Sequence, residues 1–141
     1  ATSKESPMAN ALYAKGKEKM LSASINFAAD TIKVALVKNT YTQNLVTDEF
    51  YSTVLAHVAG TPQTLGTKTV SAGVFDAADA TYVAVTPGDT CEGVVIYKDT
   101  GVDATSPLIA YIDVISGFPL VTNGGDIVIQ WDNGTYKIFS L

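Results

Sequence analysis

The chain has no arginine, one cysteine and one histidine in 141 residues. Arginine supplies the bidentate forks that grip phosphates and guanine edges, so its absence argues strongly against nucleic-acid recognition. A single Cys91 excludes an intrachain disulfide. With only His57 beside it, four-ligand zinc sites built from cysteine and histidine are excluded as well. Charge is also scarce, at 16% against the usual ~25%. No run approaches the ~20 apolar residues of a membrane-spanning helix, and the opening residues show no signal-peptide pattern.

What remains is apolar and unevenly charged. The hydrophobic fraction of 47% excludes disorder for most of the chain. One domain of this length hides roughly 70% of its unfolded surface, enough for a core without staples. The net charge of −5 is split between two regions. The first 20 residues hold Lys4, Lys15, Lys17 and Lys19 against Glu5 and Glu18, while the rest holds five lysines against twelve carboxylates. This split reads either as a basic arm that docks on an acidic neighbour, including another copy, or as a solvated helix face.

Residues 1–7 are polar and read as a flexible N-terminal arm. Residues 8–141 read as one β-rich domain with a helix at about 7–22. Ser6-Pro7 is a helix-start signal, and Met8, Leu12, Gly16 and Met20 then make an apolar stripe at spacing four. Gly16 costs such a helix ~1 kcal/mol relative to alanine, and permits close approach to another backbone. Lys4, Met8, Leu12, Lys15, Gly16, Lys19 and Met20 are accordingly the candidate assembly surface.

Asp30–Lys38 switches to period two, with Ile32, Val34 and Leu36 on one face of a strand. Thr47 to Ala56 suggests a short helix, closed by Gly60-Thr61-Pro62. Strands are then expected over 68–70, 80–86, 92–98, 108–114 and 126–131, and from Thr135 onward. Asp132-Asn133-Gly134 has the chemistry of a tight turn, predicting a C-terminal hairpin between Ile127–Trp131 and Tyr136–Phe139. Short strands separated by Gly-rich turns argue for a compact antiparallel β-sandwich or barrel.

No pattern here carries catalysis. Asp76 and Asp79 lack an accompanying base or nucleophile and read as a polar turn before Ala80. Asp99, Asp103 and Asp126 offer oxygens to calcium, but at no recognised loop spacing. Residues 60–69 miss a phosphate-binding loop by one residue at two places. No Gly-x-Ser-x-Gly elbow accompanies His57, which reads as structural or solvent-exposed. Cys91, opening an apolar run, reads as a small buried hydrophobe. Tyr82, Tyr97, Tyr111, Trp131, Tyr136 and Phe139 fall at strand positions and read as core, with an exposed sugar-binding platform as the competing reading. Neither a catalytic residue, a metal nor a cofactor is expected.

Several segments together resemble a family of small, decoration-like virion structural proteins of tailed bacteriophages. They are Asn10-Ala-Leu-Tyr-Ala-Lys-Gly-Lys-Glu-Lys-Met-Leu21, Asp30-Thr-Ile-Lys-Val-Ala-Leu-Val37, Gly73-Val-Phe-Asp-Ala-Ala-Asp-Ala-Thr81, Val95-Ile-Tyr-Lys-Asp-Thr-Gly101, Ala104-Thr-Ser-Pro-Leu-Ile-Ala-Tyr-Ile-Asp113, Asn123-Gly-Gly-Asp-Ile-Val-Ile-Gln-Trp131 and Lys137-Ile-Phe-Ser-Leu141. The resemblance covers nearly all of 8–141 and implies a particle component assembled in a bacterial cytoplasm. Its partners would be the major capsid protein or another virion protein and, for a decoration protein, further copies in a trimer, with no nucleic acid or membrane. A tail or head–tail connector component, or a surface carbohydrate- or receptor-binding module, are the alternative expectations. The family carries over no catalytic or ligand residues.

Overall fold

The computed structural model describes residues 11–132, 134 and 137–140. In chain order the elements are β1 (Ala11–Leu12), α1 (Ala14–Leu21), β2 (Ile32–Lys38), β3 (Val58–Thr64), β4 (Thr69–Ser71), β5 (Val74–Asp76), β6 (Ala80–Tyr82), β7 (Thr90–Lys98), β8 (Leu108–Ile112), β9 (Leu120–Val121), β10 (Ile127–Ile129) and β11 (Phe139–Ser140). The main sheet runs β1-β8-β7-β2-β3, and β9 joins β7 beyond the end of β8. A ribbon of β6 and β10 and a small sheet in the order β11-β5-β4 complete the strands. All pairings are antiparallel. The fold is therefore mainly β and sandwich-like, and not a closed barrel.

The centre of the main sheet is buried on both faces. Ile32, Val34 and Leu36 share one face of β2 as period two demands, and Ala35 and Val37 on the other face are equally buried. On the first face they meet Tyr82, Ile127 and Ile129 of the ribbon and Phe75 of the small sheet. The Tyr82 hydroxyl donates to the Val34 carbonyl and pins the ribbon to β2. On the second face, Val95, Tyr97, Leu108 and Tyr111 pack with Tyr13, Tyr41, Tyr51 and Val54. That second cover is not a sheet: it is the segment 39–57, with single 3-10 turns at Tyr51–Thr53 and Leu55–His57.

The structure differs from the sequence reading at several points. The N-terminal helix begins only at Ala14, because Ala11 and Leu12 pair with Tyr111 and Ala110 on the edge of β8. Pairing with that edge outweighs the weak local helix preference. Leu12 therefore lies on a strand rather than on a helical stripe. The expected helix over 47–56 is reduced to the two 3-10 turns. Gly60-Thr61-Pro62 does not close it but lies inside β3, an edge strand whose register against β2 shifts around these residues. Proline is tolerated at such an edge, and Gly60 takes φ of 67° at the irregularity. The expected C-terminal hairpin is not seen among the described residues. Ile127–Ile129 pairs with Ala80–Tyr82, and Phe139–Ser140 pairs with Val74–Phe75. The chain's end also packs on this core through Ile138 and Phe139, but its strand is taken up by β5, while β6 takes up Ile127–Ile129.

Gly16 shows how tightly α1 is seated on β8. A Cβ at this position would lie 2.5 Å from the Leu108 carbonyl oxygen and 3.2 Å from the Ile109 Cα. Gly16→Ala gains up to ~1 kcal/mol in helix propensity, yet it forces helix and strand apart. We expect a net loss of about 1–3 kcal/mol in urea unfolding, as for other overpacked positions; an unchanged or raised midpoint would show that α1 is not held there.

Candidate functional site

The candidate assembly surface splits when built up residue by residue. Lys4 and Met8 lie outside the described residues. Leu12 and Met20 are half-buried against the main core, and Gly16 is buried. Lys19 donates to Glu49 Oε2 at 2.7 Å and stands 5.2 Å from the centre of the Phe50 ring. Lys15 makes an exposed pair with Glu18 at 3.3 Å. The stripe thus holds α1 to its own domain, and the outward residues of the helix are Lys17, Glu18 and Leu21.

The junction into α1 is fixed by a buried polar chain. Tyr13 N–H donates to Ile109 O at 2.9 Å, and Ala14 N–H donates to Leu45 O at 2.7 Å. The Tyr13 and Tyr41 hydroxyls are 2.7 Å apart, and Tyr41 donates onward to Asp48 Oδ2 at 2.8 Å. Asp48 also accepts from Asn44 N–H, closing the 44–48 turn. Burial, followed by the neighbouring hydroxyl, pushes Tyr13 far above the ordinary phenol range, so it remains a neutral hydrogen-bonding group. The sequence alone offered no signal for this chain, whose members lie 28 and 7 residues apart.

Other candidates resolve into structural roles. Asp79 Oδ1 accepts the Trp131 N–H at 3.1 Å, and Trp131 Nε1 donates to Ala78 O, so the carboxylate holds a turn. Asp126 Oδ1 accepts the Ala84 N–H at 2.9 Å. Among the described residues, no three His, Cys, Asp or Glu side chains gather closely enough to hold a metal ion. His57 Nδ1 lies 2.8 Å from Thr40 Oγ1, with its ring beside Tyr41. Cys91 is fully buried, and burial pushes its thiol up, away from thiolate chemistry. Tyr82, Tyr97, Tyr111 and Trp131 are buried, which removes them as a sugar-stacking platform; Tyr51 stacks on Tyr97 with centroids 4.1 Å apart. Tyr136 lies outside the described residues.

The remaining lysines are largely engaged within the domain. Lys33 pairs with Asp99 at 3.0 Å, Lys98 with Asp30 at 3.1 Å and Lys38 with Asp89 at 3.5 Å; Lys68 donates to the Asp30 carbonyl. Against this, Val83, Val121, Val128 and Leu21 remain largely exposed. Two shallow open depressions flank the ribbon, one bordered by Gly60, Tyr82 and Val83 and the other by Phe118, Val121 and Val128. The chain matches no protein-family model, and no curated protein matches it.

Two predictions follow from the polar chain and the ion pairs. Tyr41→Phe strands the buried Tyr13 hydroxyl and should cost about 1–3 kcal/mol. Tyr13→Phe combined with Tyr41→Phe should cost less than the sum of the singles, and strict additivity in chemical denaturation would show that the hydroxyls do not interact. Asp30 lies below the ordinary carboxylate range, first through the Asn26 N–H and then through Lys98; Asp99 does so through the Gly101 N–H and Lys33. A folded value below the unfolded one stabilises at neutral pH, and that contribution is lost as pH falls through the folded value. Asp30→Asn should therefore melt lower than the parent at neutral pH, and the gap should begin to close as pH falls below about 4, near the unfolded aspartate value, and vanish only below the lower folded value; a gap independent of pH would exclude an ionic origin.

Proposed function

We propose that this chain is a structural protein of a tailed-bacteriophage particle, acting as a decoration protein that binds the outer surface of the head. Apolar exposure on a charge-poor surface carries the reading. Leu21, Val46, Leu55, Val70, Val83, Val102, Val114, Val121 and Val128 are all at least half exposed or close to it, while five lysines are spent on internal ion pairs. Scattered apolar residues are ordinary on a monomer, but valines clustered around one ribbon suit a surface that is covered in use. Burial of the main sheet on both faces gives the stiff body that such a covering contact needs. The resemblance of the sequence segments to virion proteins supplies the particle.

Copy number tests it. Purified particles should contain this chain in numbers comparable with the major capsid protein, and stripped, expanded heads should rebind it. A single ring's worth of copies per particle would point instead to a connector, and absence from particles would reject the virion reading.

A further inference from the structure

We propose that the chain associates head to tail with further copies of itself, the outward face of α1 on one copy docking on the outward face of the β6–β10 ribbon on the next. The inference rests on reading the chain as an assembling structural domain, and it names the surfaces that assemble.

On the ribbon, Ile127 faces Tyr82, Val128 faces Thr81 and Ile129 faces Ala80. Alternation sends Ala80, Tyr82, Ile127 and Ile129 into the core and leaves Thr81, Val83 and Val128 outside, with Val83 73% and Val128 52% exposed. Asp126 and Asp79 stand at the two ends of this apolar face, and Asp132 follows just beyond. None of the three carboxylates belongs to an ion pair among the described residues. Residues 79–86 and 123–132 contain no lysine that could cancel them. The result is an apolar patch rimmed by carboxylates that no lysine of these segments pairs, two of them also accepting backbone N–H groups.

The helix carries the complement. Gly16 faces β8, and Lys17, Glu18 and Leu21 are exposed on the helix, Glu18 being paired with Lys15 and Lys17 and Leu21 standing one turn apart. Leu21 is 89% exposed. Lys17 has no ion-pair partner among the described residues, whereas Lys15 and Lys19 do. An apolar knob beside a free cation matches an apolar patch rimmed by carboxylates, the arrangement that gives interfaces a dry centre and a steering charge.

One copy does not satisfy itself. α1 packs on β8 near one end of the main sheet and β6 packs on β3 at the other. Three strand spacings, about 14 Å, separate those two strands. Two different surfaces on opposite flanks make a heterologous contact, which closes into a ring or continues as an open chain. A threefold ring is the closed form that a trimeric decoration protein would use.

Sedimentation velocity of the full chain at about 100 µM tests this, in a range where contacts of micromolar affinity are populated. The parent should form oligomers at about 0.05 M salt and dissociate toward monomer at about 0.5 M, as screened rim charges require. Lys17→Glu and Val128→Lys should each weaken association by at least about tenfold while leaving the melting curve unchanged. An equimolar mixture of the two should recover association, because each supplies the surface the other has lost. Should Val128→Lys fail to fold, Thr81→Lys takes its place in the mixture. A monomeric parent at low salt, variants that associate like the parent, or a mixture that stays monomeric would each overturn the proposal. A monomer that is nonetheless carried on particles would reject this interface and spare the virion reading; an oligomer absent from particles would do the reverse.

Discussion

The antiparallel pairing of β2 with β7 is the constraint from which the other elements take their places. It runs from Ile32 opposite Lys98 to Lys38 opposite Cys91, and its interior is apolar at successive positions rather than alternate ones. Side chains alternate across a strand, so such a run presents apolar groups on both sides and needs two covers. The covers are unlike. One consists of strands too short to stand alone, since a two-stranded ribbon in water is marginal at best. The other has hardly any regular structure and is held by tyrosines. Each buried Val, Leu or Ile is worth roughly 1.5–3 kcal/mol, so both covers are stable only because the β2–β7 pair offers something to bury.

The N-terminal segment closes this sheet along its β8 side. β1 takes up the backbone groups opposite Ala110 and Tyr111, and α1 then lies over Leu108 and Ile109 with Gly16 at the point of closest approach. An uncovered strand edge is a template for unwanted pairing. Here it is blunted by two devices drawn from one stretch of about ten residues. The same stretch reaches the second cover: Lys19 to Glu49, Ala14 to Leu45, and Tyr13 through Tyr41 to Asp48. α1 is thus a clamp between layers, which is why most of its distinctive side chains face inward.

Sequence patterns were most legible where burial is simplest. The central strands around 32–38, 92–98 and 108–112 could be read from their apolar runs, because their conformation and burial agree. β3 could not, since Gly60 and Pro62 argue against a strand and only the edge of β2 makes one of them. The C-terminal pairing failed for a related reason: Asp132-Asn133-Gly134 is a local signal, whereas β10 finds its partner 45 to 49 residues earlier in the chain, from Tyr82 opposite Ile127 to Ala80 opposite Ile129. For the part of the candidate surface that falls in α1 (Lys15, Gly16, Lys19 and Met20), the residue types were visible and their directions were not. A spacing of four is satisfied equally by a stripe that meets a partner and by one that meets its own sheet, and Glu49, which engages Lys19, lies 30 residues away.

Charge places the outward-facing chemistry more sharply than apolarity does. In a chain with so few charges, each internal ion pair removes a large share of what is available to a partner. Lys33, Lys38 and Lys98 spend their charge stitching β2 and β7 to the turns at Asp30, Asp89 and Asp99. Lys15 and Lys19 are likewise matched on or beside α1. Among the groups outside these ion pairs are Lys17 on the helix flank and Asp79, Asp126 and Asp132 around the ribbon. The sequence shows the same imbalance only as a basic start and an acidic remainder. In the folded chain these particular groups gain positions, Lys17 beside exposed Leu21 on the helix and the three carboxylates beside exposed Val83 and Val128 on the ribbon.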